Sequence, residues 1–179
     1  MLEMTTTITR ARGSVRLLAG SVLAIAAVAS QPALAATATD TLDVSATVTS
    51  NCVVSTTPLA FGDIDVTGGS PVDGTGGLSV TCTSGAGWTA TADAGSGTGA
   101  DLATRKMANG ANLLNYVLYT DSARTTVWGD GTTVGAEGTF TGTGTGSAQA
   151  STIYGTIPAS QTSLPAGAYT DTVTVTVTY

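Results

Sequence analysis

Residues Ala168 to Tyr179 read AYTDTVTVTVTY. From Thr170 onward every second residue is Thr until the final Tyr. Asp171, Val173, Val175, Val177 and Tyr179 fill the alternate places. This period of two is that of a strand with one face in a core. β-Branched residues pack well on a pleated surface. Pro165-Ala166-Gly167 supplies the turn before it. A second alternating stretch lies near the other end. In Ala36 to Ser50, ATATDTLDVSATVTS, Leu42, Val44, Ala46 and Val48 alternate with Asp43, Ser45, Thr47 and Thr49.

Between these two lie further strand signals. They are Pro58 to Val66 (broken at Gly62), Leu78 to Thr83, Trp88 to Ala94, Leu113 to Thr120, Val127-Trp128, Thr139 to Gly146 and Gln149 to Ile157. Thr67 to Gly77 reads as a glycine-rich loop. The Gly/Thr tract from Gly129 to Gly146 reads as a hairpin with long loops. No stretch after residue 35 sustains a helical period. The expectation is an all-β sandwich.

The first 35 residues read as a secretory signal. Arg10, Arg12 and Arg16 precede an apolar run from Leu17 to Ala29, too short to span a bilayer comfortably. Ser30 to Ala35 offers a small-residue cleavage site, with Ala36 as the first mature residue. Cleavage there leaves 144 of the 179 residues, an ordinary single-domain length. The chain has six basic and twelve acidic residues and no His; the mature part keeps three basic and eleven acidic, a net charge of −8. That argues against nucleic-acid binding, which needs a basic footprint. Cys52 and Cys82 are the two cysteines, and in an oxidising compartment they are expected to form one disulfide.

Chemistry is hard to find. Without His, Ser-His and Cys-His nucleophile arrangements are excluded. Asp63 and Asp65 would share a strand face, and a solvated face is a better reading than a hydrolytic carboxylate pair. The run Asp93 to Asp101 fits no calcium motif and reads as a plain loop. No catalytic, metal or cofactor site is expected, and no small-molecule substrate. Asp121 and Arg124 across a tight turn suggest a local ion pair, with a loop-fixing role for Arg124 as the sharper reading. Trp88 and Trp128 read as core or edge aromatics rather than sugar platforms. Tyr169, after a Pro-Gly turn, suits a tyrosine corner, its hydroxyl bonding back to the backbone.

Several stretches taken together resemble the spore coat protein U domain family. They are Asn115-Tyr116-Val117-Leu118-Tyr119-Thr120-Asp121-Ser122-Ala123-Arg124-Thr125, Val127-Trp128-Gly129-Asp130-Gly131, Tyr154-Gly155-Thr156-Ile157-Pro158, and Pro165 to the terminal strand. Cys52 and Val80-Thr81-Cys82 match as well. The family includes subunits of archaic (Csu-type) chaperone–usher pili.

The resemblance implies an immunoglobulin-like sandwich that lacks its last strand. A periplasmic chaperone would first lend one, and the N-terminal extension of the next subunit would then replace it through an outer-membrane usher. Carried onto this chain, residues 36–49 are the donor extension, with Leu42, Val44, Ala46 and Val48 facing the groove, and 50–179 the domain. Val173, Val175, Val177 and Tyr179 would line the acceptor groove and meet the chaperone. The implied function is a self-polymerising subunit of a surface fibre for adhesion and biofilm formation, exported through the periplasm. The alternatives are a non-polymerising coat or matrix protein with its own strand folded back, and a secreted carbohydrate-binding sandwich. Residues 36–49 extended span about 46 Å at roughly 3.3 Å each, enough to cross a neighbouring domain.

N-terminal sequencing of the exported protein should therefore find Ala36 or a residue within a few positions. Recovery of Met1 or Met4 would overturn the signal assignment.

Overall fold

The computed structural model describes residues 35–132 and 137–179; the signal assignment, apart from Ala35, lies outside them. Among the described residues ten strands follow one another: β1 Cys52–Thr57, β2 Val72–Cys82, β3 Gly87–Ala92, β4 Arg105–Asn109, β5 Asn112–Tyr119, β6 Val127–Trp128, β7 Glu137–Gly138, β8 Phe140–Thr143, β9 Gln149–Ile157 and β10 Val175–Thr178. The larger sheet has the order β1-β2-β9-β5-β6-β7, with β4 also on β5. The smaller has the order β10-β3-β8. The fold is the expected all-β sandwich.

The core follows the period-two pattern. Leu78, Val80 and Cys82 of β2, Leu114, Tyr116 and Leu118 of β5, and Ile153 and Ile157 of β9 are buried from the larger sheet. Trp88, Ala90 and Ala92 meet them from β3. Trp128 and Phe140 meet edge to face at 5.1 Å, and the Trp128 indole Nε1 donates to the Ala90 carbonyl. Trp88 Nε1 donates to Gln149 Oε1. Both tryptophans are core residues, as read.

Several expectations need correction. Residues 35–51 form no strand, and the first strand is Cys52–Thr57, beyond the alternating stretch. Pro58 to Val66 is irregular chain with Gly62 at φ +72°. The glycine-rich segment Thr67 to Gly77 contributes half of β2.

The last two corrections share one cause. A Cβ at Gly74 or Gly155 would meet the Leu59 and Phe61 side chains at about 3 Å, and one at Gly76 would meet Leu59. These three glycines form a trough on the inner sheet face. Pro58–Phe61 lies in it and is filler for the core rather than a ladder strand.

β4 was not foreseen. Its signal is Asn109-Gly110, a short-range hairpin signature; Asn109 pairs with Asn112 around Gly110 at φ +60°. The Gly129–Gly146 tract is no simple hairpin. β6 and β7 are parallel, and β8 crosses to the smaller sheet.

Cys52 and Cys82 are directly opposite in the β1–β2 register and are disulfide-bonded, 30 residues apart. Closing that loop should stabilise by about 3–4 kcal/mol. The Cys52→Ala/Cys82→Ala double variant should lose stability of that order in denaturant unfolding. Two free thiols in the non-reduced exported protein would refute the bridge.

Candidate functional site: an open groove between two edge strands

The terminal alternating run does not form a strand along its whole length. Thr170 exchanges both backbone hydrogen bonds with Ala108 of β4, at 2.8 and 3.1 Å. Ladder pairing with β3 begins only at Val175. The chain thus passes from the larger sheet to the smaller one between Thr170 and Val175. Side chains at Asp171, Val173, Val175 and Val177 keep one face through this passage, as the period of two demands.

Backbone direction follows the same alternation. The Thr174 carbonyl accepts from Asp93 N at 3.1 Å, so Thr174, Thr176 and Thr178 turn their N–H and C=O toward β3. Val173, Val175 and Val177 turn theirs the other way, off the sheet edge. On β1, the Asn51 carbonyl accepts from Thr83 N at 2.9 Å. Cys52, Val54 and Thr56 therefore direct their backbone groups away from β2. β1 and β10 are edge strands of the two sheets.

Between these edges runs a groove of about 860 Å³. Thr56, Thr57 and the segment Pro58–Ile64 form one wall, and residues 167–173 with Val175 form the other. Leu114, Leu118, Trp128, Ile153 and Ile157 reach its floor. These floor residues are buried, but the β1 edge is less covered. Val54, opposite the fully buried Val80, is still 39% exposed.

The expected groove residues are therefore partly placed there. Val173 and Val175 line the groove. Val177 packs against the core on the same face but outside the groove lining. Tyr179 is 56% exposed, with its hydroxyl 3.3 Å from Asn51 Oδ1. The expected donor residues Leu42, Val44 and Val48 are exposed by 87%, 84% and 85%, and Ala46 is also exposed.

Polar contacts fix the second wall. The Asp171 carboxylate accepts from Ser96 N (2.8 Å), Ser96 Oγ (2.6 Å) and Thr172 N (2.8 Å), and from the Tyr116 hydroxyl at 2.6 Å. Burial, and then the bond to Asp171, raise the Tyr116 phenol far above its ordinary value of 10.0. The Tyr169 hydroxyl donates to the Pro165 carbonyl at 2.9 Å, the corner read from the sequence.

Asp93 holds Gly95 N and Thr174 N. Burial pushes the Asp93 carboxyl up, but its hydrogen bonds and the nearby Arg105 outweigh that, so its acidity is strengthened. Asp93 thus spends its carboxylate on Gly95 and the terminal run, and Asp101 accepts from the nearby Thr104 N.

Arg105 is the residue that sequence reasoning missed. It is fully buried, and its guanidinium donates to the carbonyls of Asp93 (2.9 Å), Leu102 (3.0 Å) and Trp128 (2.7 Å). It ties the end of β3 to β6 across the sandwich. A buried guanidinium is costly unless its donors are matched, and this geometry matches them. The signal available was a lone Arg opening the charged stretch before an Asn-Gly turn.

Other singled-out residues resolve simply. Asp65 lies in a loop, not on a strand, and accepts from Thr67 N and Oγ1. These bonds, the Thr67 side chain first, lower its pKa, the opposite of what a general acid needs. Arg124 does not pair with Asp121. Its Nε lies 3.2 Å from Asp73 Oδ1, an ion pair out of line for a hydrogen bond, and its guanidinium sits over the Tyr154 ring at 5.7 Å. Arg124 has φ +56°, and the Asp121 carboxylate holds Thr125 N and Thr126 N instead. Arg124 thus fixes the β5–β6 loop against β2 and β9.

The comparisons agree with an immunoglobulin-like sandwich fold. The model of the Spore Coat Protein U domain matches residues 38–176. The chain belongs to that family. Its fold is similar to that of a chain in the CsuC–CsuE chaperone–tip adhesion subunit pre-assembly complex, from the archaic chaperone–usher Csu pili of Acinetobacter baumannii. That likeness has a TM-score of 0.51 at 20% identity and covers 74% of this family member. It spans 40% of the Csu chain. No curated protein matches in sequence.

The Tyr116–Asp171 pair makes the wall sensitive to alkali. A phenol whose pKa is raised by folding adds stability that is complete below its unfolded value of 10.0 and is lost as the pH rises beyond it. Thermal unfolding between pH 8 and 11 should show wild type losing stability above pH 10. Tyr116→Phe, less stable at neutral pH for want of the bond, should lose less over that interval. Parallel curves would refute the assignment.

Proposed function

We propose that this protein is a structural subunit of a surface fibre, assembled by insertion of one subunit's N-terminal segment into the groove of the next. The observation that carries this is the groove with unpaired backbone on both flanks. Val173, Val175 and Val177 offer N–H and C=O groups from one edge, and Val54 and Thr56 from the other. An exposed long edge is an aggregation hazard that proteins normally blunt. Here two such edges flank a groove with an apolar floor.

Strand addition uses those backbone groups for affinity and side-chain positions for specificity. Leu42, Val44, Ala46 and Val48 supply a matching alternating row, already solvent-exposed. Burying Leu42, Val44 and Val48 is worth roughly 1.5–3 kcal/mol each as an upper estimate. Backbone bonds add about 0.5–1.5 kcal/mol apiece.

The likeness to a subunit held in a chaperone complex supports a periplasmic chaperone as the first occupant of the groove. An outer-membrane usher and a second copy of this chain follow in the same reading. Export, a place on the cell surface, and a role in adhesion and biofilm formation belong to it too.

Val44→Arg should stop fibre assembly while the subunit still folds with a chaperone strand, because a buried unpaired charge costs far more than a lost methyl group. Ser45→Arg, on the opposite face of the same segment, should be much milder. Boiling-sensitive multimer ladders on gels, with electron microscopy, read both. Equal damage at the two positions, or normal assembly by Val44→Arg, would remove the reading. An isolated Val44→Arg chain that is unfolded would favour the folded-back alternative.

A further inference from the structure

The outward face of the smaller sheet is made almost wholly of threonine. The register sets Thr178 opposite Thr89 and Thr89 opposite Thr141, one rank across β10, β3 and β8. Thr176 and Thr91 form the next rank. Thr174 continues the β10 row, and Asp93 closes that end. Strands lie about 4.8 Å apart and alternate residues about 6.7 Å, so hydroxyls and methyls repeat on a regular net. Thr174, Thr176, Thr178 and Thr141 are exposed. Thr91 Oγ1 donates to the Thr176 carbonyl at 3.4 Å, and its methyl group lies beside Gly131, where an added Cβ would meet it at 3.3 Å.

We infer that this face is a second self-association surface, joining fibres side by side, with another copy of this chain as its occupant; this rests on the polymerisation reading above. Two observations select that occupant. The first is charge. The chain is acidic, with a net charge of −6, so copies repel one another over most of their surface. The two ranks Thr178-Thr89-Thr141 and Thr176-Thr91 carry no charged side chain, and Asp93 stands only at the Thr174 end, so like copies approach over those two ranks with less of that penalty.

The second is continuity with the groove. An inserted segment that buries Leu42, Val44, Ala46 and Val48 turns Ser45, Thr47 and Thr49 outward, beside the β10 threonines. The hydroxyl net then gains a fourth strand only in the assembled fibre.

The contact is small. Three strands of this length present on the order of 200 Å², far below the roughly 800 Å² per partner of a stable interface. Single subunits therefore do not pair through it. Along a fibre the face recurs with every subunit, and linked weak contacts gain about 10²–10⁴ in avidity. Lateral association is thus a property of the polymer alone.

The test compares full-length wild type with Thr176→Lys and Thr176→Asp, exported in the native host. Low-speed sedimentation and electron microscopy of the shed fibres are the readouts. Wild-type fibres should bundle. Each variant should keep its multimer ladder but fall about tenfold or more in pelleted fibre, as single filaments. Mixing the two variant fibres should restore bundles through opposite charges. Variants that bundle like wild type, or a mixture that stays dispersed, overturn the inference while the fibre reading stands. Unchanged bundling with lost retention on insoluble polysaccharide also overturns it, and gives the face to a carbohydrate partner. Wild-type chains that form no fibres remove the polymerisation reading and this inference with it.

Discussion

A sandwich must cover both inner faces, and this one does so with a groove left beside its larger sheet. The groove runs beside β1 and β10, the edge strands of the two sheets. Leu114, Leu118, Ile153 and Ile157 are buried beneath it, and its volume is about 860 Å³. Each edge is satisfied on one side and open on the other. The rest of the molecule is arranged so that this gap neither collapses nor spreads.

Two kinds of contact hold it. Apolar filling closes the end that no strand reaches: Leu59 and Phe61 lie in the trough of Gly74, Gly76 and Gly155, and Phe61 meets Tyr116 edge to face at 6.2 Å. Polar contacts set the wall. Asp171 gathers Ser96, Thr172 and Tyr116, Tyr169 anchors to Pro165, and Arg105 ties β3 to β6 from inside. These bonds are long-range in sequence and short in space. They give rigidity where a continuous ladder is missing, and a preformed site costs a binding strand less ordering entropy. The disulfide acts at the opposite wall, holding the first residue of β1 to the last of β2.

The groove and the threonine face follow from one alternation. In Val173 to Thr178 each valine faces inward and each threonine outward. The same backbone carries apolar side chains to the groove side and a row of threonines to solvent. A slip of one residue would exchange the two faces, so the bridge at Thr170 and the Asp171 contacts set both at once.

Much of this was legible in the chain. Periodicity gave β3, β5, β9 and the inward valines, because a half-buried strand must alternate. Tyr169 after Pro165-Ala166-Gly167 gave the corner, because that hydroxyl bond is local. Two cysteines, in a chain read as exported, gave the bridge. Tertiary structure decided the rest. Glycines that read as a loop became half of β2, since the need for bare backbone there comes from Leu59 and Phe61. Arg105 was not singled out, since its carbonyl partners are brought together only by folding. Arg124 found Asp73 rather than Asp121, 51 positions away instead of three. Alternation along one strand is a local property and is written in the sequence; which backbone groups lack a partner depends on every other strand, and only the assembled sandwich decides it.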